Sequence, residues 1–178
     1  MSAGRGRLIA IDGVNGGAIV KSARVAVAAV PRARRGGVSM WDASGLFGDL
    51  MIAPPAAGAP SARTLVLLFA ADLAFRLRWE IRPALDAGKT VVAAPYIRTA
   101  IAFGRAAGLD ADWLDDLFGF APAPDEAVKV VTGTSRRAGG RAGFVELGRE
   151  CLALSMPAVA SAVAERAASR LSDRRKQR

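Results

Sequence analysis

The sequence contains no histidine and a single cysteine, Cys151. An internal disulfide is therefore excluded, and so is a zinc site built from a Cys/His cluster. Without an imidazole, Ser-His-Asp and Cys-His nucleophilic arrangements within one chain are excluded as well. Catalysis would have to rest on carboxylates, Lys or Arg. Aromatic residues make up only 6% of the chain, and none is interleaved with the basic residues as a groove that stacks nucleic-acid bases requires. No uninterrupted apolar run approaches the roughly 20 residues that span a bilayer, even though 52% of the residues are hydrophobic, because alanine supplies much of that fraction. The N-terminal segment MSAGRGRLIAIDG has no small-residue cleavage site behind an apolar core of secretory type. These absences predict a soluble, cytoplasmic protein that makes no use of a membrane or a bound transition metal.

What is present is enough chain for one domain. At 178 residues it can bury about two-thirds of the surface its unfolded form exposes, without staples. The formal charge of +9 is concentrated in three clusters: Arg32, Arg34 and Arg35; Arg136, Arg137 and Arg141; and the tail Arg170, Arg174, Arg175, Lys176 and Arg178. Such clusters attract phosphates, so a weak nucleic-acid contact without base preference is one partner they allow. A solvated basic tail is the plainer reading.

Along the chain, residues 7–12 read as a buried strand bounded by glycines, followed at once by a Gly-rich turn. Residues 21–30 read as a buried helix and 37–42 as a second strand. After a Pro/Ala/Gly connector at 54–60, residues 61–87 carry strong helix formers interrupted only by Pro83, which predicts one long helix bent near that proline. The β-branched run at 90–94 is a third strand, 97–107 and 110–118 are helices, and 127–132 is a fourth strand. Residues 150–154 are the candidate fifth. Ser155 is placed as the N-cap of a final helix reaching about residue 171. Strands alternating with helices predict a three-layer α/β domain over residues 1–172, with a mostly parallel five-stranded sheet and a basic tail at 173–178.

Between the first strand and the next helix the chain reads Asp12-Gly13-Val14-Asn15-Gly16-Gly17-Ala18-Ile19-Val20-Lys21-Ser22. Strand, glycines and helix in this order are the setting of a phosphate-binding loop. In a working loop, backbone N–H groups surround a phosphate, a lysine reaches the transferred group and Ser or Thr holds magnesium. The stretch from Thr64 to Val92 adds Leu68-Phe69-Ala70-Ala71-Asp72-Leu73 and, further on, Ile81-Arg82-Pro83-Ala84-Leu85 and Gly88-Lys89 before the valine strand.

In both segments the chain resembles the thymidylate kinase family, a group of P-loop nucleoside monophosphate kinases. The family's loop runs Gly-x-Asp-Gly, small residue, Gly-Lys and Ser or Thr. Gly13, Asn15, Gly16 and Gly17 fall on its first half, while Ala18, Ile19 and Val20 take the places of its last glycine, its lysine and its hydroxyl residue. Lys21 and Ser22 could restore that chemistry only through a two-residue insertion that reshapes the loop. The resemblance puts Phe69 on the ring that stacks on thymine, Leu73 on the base-recognising arginine, and Gly104 on a glutamine that contacts the base. It puts Ala94, Pro95 and Tyr96 on the family's Asp-Arg-Tyr, whose two charged groups serve phosphate chemistry. The family's arginine-bearing lid falls on the Gly-rich interval from residue 132 to 150, expected here as a surface loop without flanking helices.

The candidate site that results holds Gly13, Asn15, Gly16, Gly17, Lys21 and Ser22 at the phosphate position and Asp12, Asp42, Phe69 and Tyr96 around a nucleotide pocket, with no confident catalytic residue and no metal ligand. Asp12 and Asp42 would bind a sugar hydroxyl or a metal-bound water, or else cap a neighbouring helix. Four charged or small positions replaced by apolar residues predict a non-catalytic protein that works by binding or assembly, as a homodimer through the long helix or with a protein partner. The alternative is an active kinase with an altered loop or substrate, for which ATP and magnesium would be the cofactors.

Overall fold

In the computed structural model the described residues are 5–51, 58–131 and 141–155. Four strands form one parallel sheet: β1 (Arg7–Gly13), β2 (Arg35–Met40), β3 (Thr90–Ala94) and β4 (Glu126–Val130), in the order β2-β3-β1-β4. The two central strands explain themselves. Every residue of β3 and the five residues Leu8 to Asp12 of β1 are buried, as expected of a parallel strand with both faces covered by helices. β4 is half-exposed, as befits an edge.

The helix α1 (Gly16–Ala29) follows β1. It begins five residues before the sequence predicts, because Asn15 caps it: its Oδ1 accepts from Ala18 N at 2.8 Å. After β2 comes the short α2 (Leu46–Met51). α3 (Ala62–Arg76) is capped by Ser61, which accepts from Thr64 N at 3.0 Å. It continues through a π turn over Leu77–Ile81 into α4 (Arg82–Asp86). Where the sequence predicts a bend, the backbone changes register. Pro83 cannot donate to the carbonyl four residues back and its ring crowds that carbonyl, and just before it Arg82 N bonds to Leu77 O instead. α5 (Ile97–Ala106) and α6 (Ala111–Phe118) follow β3, the latter capped by Asp110.

Two expectations are corrected by α7 (Arg141–Ser155). Residues 150–154 are helical rather than a fifth strand, so the sheet of the described residues has four strands, and the lid interval carries a helix on its C-terminal side. The reason lies in the spacing. Phe144, Leu147 and Cys151 are all buried and recur at three and four residues, a helical stripe. Ser155, read as an N-cap, is the last described residue of that helix. Residues 132–140, with Arg136 and Arg137, and the segment expected to form a final helix and basic tail lie outside the described residues.

Candidate functional site

In a parallel sheet the carboxyl ends of the strands share one edge, and the loops leaving them are where ligands meet α/β folds. Asp12 stands at the end of β1, nearly buried at 5% exposure. Its Oδ1 accepts from Tyr96 N at 2.9 Å, Thr99 N at 2.9 Å and Thr99 Oγ1 at 2.8 Å. The carboxylate thus caps the first turn of α5, which Tyr96 leaves without a side-chain cap of its own. Burial pushes the Asp12 carboxyl above its usual range, and the bonds from Thr99 and Tyr96 partly offset that rise. The buried Tyr96 points its hydroxyl at Pro122 O, 2.8 Å away, and burial raises its phenol to about 12.

Asp42 does the same work after β2. It accepts from Phe47 N at 2.8 Å and Gly48 N at 2.7 Å, capping α2. Burial and, secondarily, the nearby charges of Asp72 and Asp49 raise its carboxyl to about 6 against the two capping bonds. Asp72 in turn receives Asp42 N and Ser44 N at 3.1 and 2.9 Å, and its Oδ2 lies 2.9 Å from Arg76 Nε with both side chains fully buried. The N–H of that Nε is not aligned on the oxygen. The rest of the Arg76 guanidinium donates to Ser39 O and Pro95 O at 3.2–3.3 Å, tying the ends of β2 and β3 to α3.

The phosphate-loop position is arranged around α1. Gly13 closes β1, and its N–H lies 3.1 Å from Thr99 Oγ1. Asn15 caps the helix, and Gly16 and Gly17 are its first two residues. Gly16 N donates to Glu150 Oε2 at 2.6 Å, with Gly17 N 3.4 Å from the same oxygen. The first turn of α1 has no acidic residue of its own, so a carboxylate from α7 meets its exposed amides and its dipole. The approach requires glycine: a Cβ on Gly16 would stand 2.5 Å from Glu150 Cβ and 2.7 Å from Leu147 O. Ile19, at the family's lysine position, is fully buried, and Val20 nearly so. α1 runs unbroken, which puts Lys21 about 7.5 Å along the axis from Gly16, exposed, with Ser22 half-buried beside it.

Phe69 is fully buried. Its ring lies 5.0 Å from Trp41, 6.1 Å from Phe118 and 6.1 Å from Phe144, and Phe144 stacks on Phe103 at 4.1 Å. Leu73 is buried on the same helix. A Cβ on Gly104, the glutamine position, would stand 2.6 Å from Leu114. A cavity of about 230 Å³ remains between α5, α7 and the Gly13-Val14 turn, walled by Thr99, Phe103, Phe144 and Leu147. The structure therefore brings Asp12, Gly13 and Tyr96 together at α5, Asp42 and Phe69 together around Trp41, and Gly16 and Gly17 onto α7. Lys21 and Ser22 lie one turn or more further along α1 than Gly16 and Gly17. No group of three or more potential metal ligands occurs among the described residues.

Trp41, Arg76 and Glu150 are the participants that sequence reasoning missed. The Asp72/Arg76 spacing of four on a helix was a readable signal; nothing local marks Trp41 or Glu150.

Over 86% of its length the chain superimposes on a thymidylate kinase from Ehrlichia chaffeensis, covering 83% of that structure with a TM-score of 0.63 at 16% identity. The chain has a thymidylate kinase-like fold. A thymidylate kinase from Candida albicans matches with a TM-score of 0.55 at 17% identity, over 86% of this chain and 78% of the other. In sequence, the chain is 44% identical over 78 residues to a probable thymidylate kinase of Thermococcus gammatolerans, 42% of this chain and 38% of the relative. It is also 44% identical over 62 residues to one from Pyrococcus abyssi, 35% and 30% of the two chains. The alignments thus span about a third of these relatives. No protein-family model matches the chain. No helix among the described residues is long and apolar enough to cross a membrane.

Proposed function

We propose that this chain is a thymidylate kinase-like protein that does not transfer phosphate and acts by binding or assembly. The observation that carries the reading is Glu150. A phosphate at a helix N-terminus is held by the first free amides of that helix, and in this chain those of Gly16 and Gly17 face a carboxylate of α7. A polyphosphate arriving there would meet a like charge and would have to displace it. The other supports are chemical. Phosphoryl transfer depends on charged groups placed against developing charge; the family's loop lysine falls on Ile19 and the acid and arginine that follow its third strand on Ala94 and Pro95, while its base-recognising arginine falls on Leu73. Phe69 makes its ring contacts inside the protein.

Calorimetric titration tests this directly. At concentrations up to about 1 mM, the weak end of the affinity scale, wild-type protein should show no dTMP uptake and no magnesium-ATP uptake that Lys21→Ala weakens. Micromolar ATP binding that Lys21→Ala abolishes and that alanine at both Arg5 and Arg34 leaves unchanged would favour the active-kinase alternative, with the loop rebuilt around Lys21.

Assembly has its own support. Leu67, Phe75 and Trp79 are 46%, 39% and 62% exposed; together with exposed Ala71 they recur every four residues along α3 and the π turn, an apolar stripe on the outer face of the long helix. A two-fold homodimer would bury that stripe against its own copy.

A further inference from the structure

We infer that the amino-terminal edge of the sheet, opposite the candidate site, is a phosphate-binding surface. Because the sheet is parallel, the residues that lead into its strands share that edge. Arg5 and Arg7 lead into β1, Arg32, Arg34 and Arg35 into β2, and Lys89 into β3. The register puts Arg7 and Arg35 on either side of Thr90, about 10 Å apart across one strand. On this edge a depression of about 400 Å³ is walled by Arg5, Arg7 and Arg34 together with Thr90 and Asp125.

Backbone carbonyls orient several of these cations without neutralising them. Arg34 Nη2 donates to Arg5 O at 3.2 Å, Lys89 Nζ to Ala33 O at 2.6 Å, and Arg35 to Val30 O and Ala28 O at 2.8–3.2 Å. Two carboxylates face the six cations: Glu126, 2.6 Å from Arg7, and Asp125, 3.6 Å from Arg5. Both ion pairs are solvent-exposed, so a phosphate can compete for them cheaply, and an arginine held by one oxygen keeps donors to spare.

The chemistry selects the ligand. Guanidinium forks match phosphate oxygens. None of the large exposed apolar side chains of the described residues borders the depression, so the described residues offer nothing there to insert into a lipid surface. Among the described residues no aromatic ring lines the depression to stack a base. The surface therefore reads phosphate without base identity, and its source is a nucleic-acid backbone or a free polyphosphate.

Fluorescence anisotropy of a labelled 20-nucleotide single strand, with full-length protein, tests this. Replacing Arg5 and Arg34 together by alanine should weaken binding about tenfold in low salt and lower the log–log salt slope by about 1.4, two contacts on a single strand. Glu126→Gln frees Arg7 and should tighten binding, whereas Glu146→Gln on α7, an equal change in net charge, should leave it unaltered. The gain in Glu126→Gln cannot be mimicked by misfolding. Wild-type binding by the double variant, or equal responses to Glu126→Gln and Glu146→Gln, would overturn the assignment. Competition by inorganic tripolyphosphate identifies the source. Displacement at micromolar concentration marks a pocket for a free polyphosphate, and displacement only at millimolar concentration marks a backbone-binding surface.

Discussion

Single buried charges decide much of the behaviour of this molecule, and Asp12 is the clearest case. One carboxylate oxygen serves three donors at the start of α5, so Asp12→Ala should cost about 2 kcal/mol in urea denaturation, the upper range for a lost helix cap. Asp42 adds a pH dependence. Its carboxyl is raised from 3.8 to about 6, so the native state holds a proton that the unfolded state has released throughout that interval. Stability is then greatest on the acid side of the interval and falls as pH rises through it, by no more than about 3 kcal/mol and less after solvent screening. Thermal melts at pH 4.5 and 6.5 should show this fall in the wild type and a flattened profile in Asp42→Asn. Ile19 argues the same point from the other side. It is fully buried, so Ile19→Lys, which restores the family's residue, should cost about 3–5 kcal/mol as an uncompensated buried charge. Wild-type stability in that variant would show that α1 can open there.

At the level of elements, what the sequence revealed depended on how local the signal was. β1 and β3 announced themselves through continuous apolar and β-branched runs, and α3 through a long run of helix formers. α7 was misread because Gly143 and Gly148 lower its helix propensity and Cys151-Leu-Ala-Leu154 imitates a buried strand, while the stripe of Phe144, Leu147 and Cys151 crosses both features. The contact between Glu150 and Gly16 spans 134 residues and leaves no trace in any short window, nor does the gathering of Phe69, Trp41 and Phe144. Helix approach also limits what can be rebuilt. Gly104→Gln, which restores the family's glutamine, should destabilise the protein by roughly 1–3 kcal/mol by forcing α5 off Leu114. A compensating Leu114→Ala should recover part of that loss.

For the whole molecule, the kinase-like fold and the proposed lack of phosphoryl transfer rest on different residues. A scaffold can persist while its site changes, because the packing that holds it and the charges that work in it are different residues. If the stripe on α3 mediates assembly, light scattering at tens of micromolar should give twice the 18.5 kDa chain mass, and Trp79→Glu should return the protein to a monomer without loss of helical signal. The central claim, that the site does not transfer phosphate, is tested most directly by turnover. Purified full-length protein with saturating ATP, magnesium and dTMP is predicted to form ADP at the rate of the dTMP-free control. ADP formation that depends on dTMP and disappears in Lys21→Ala would contradict it.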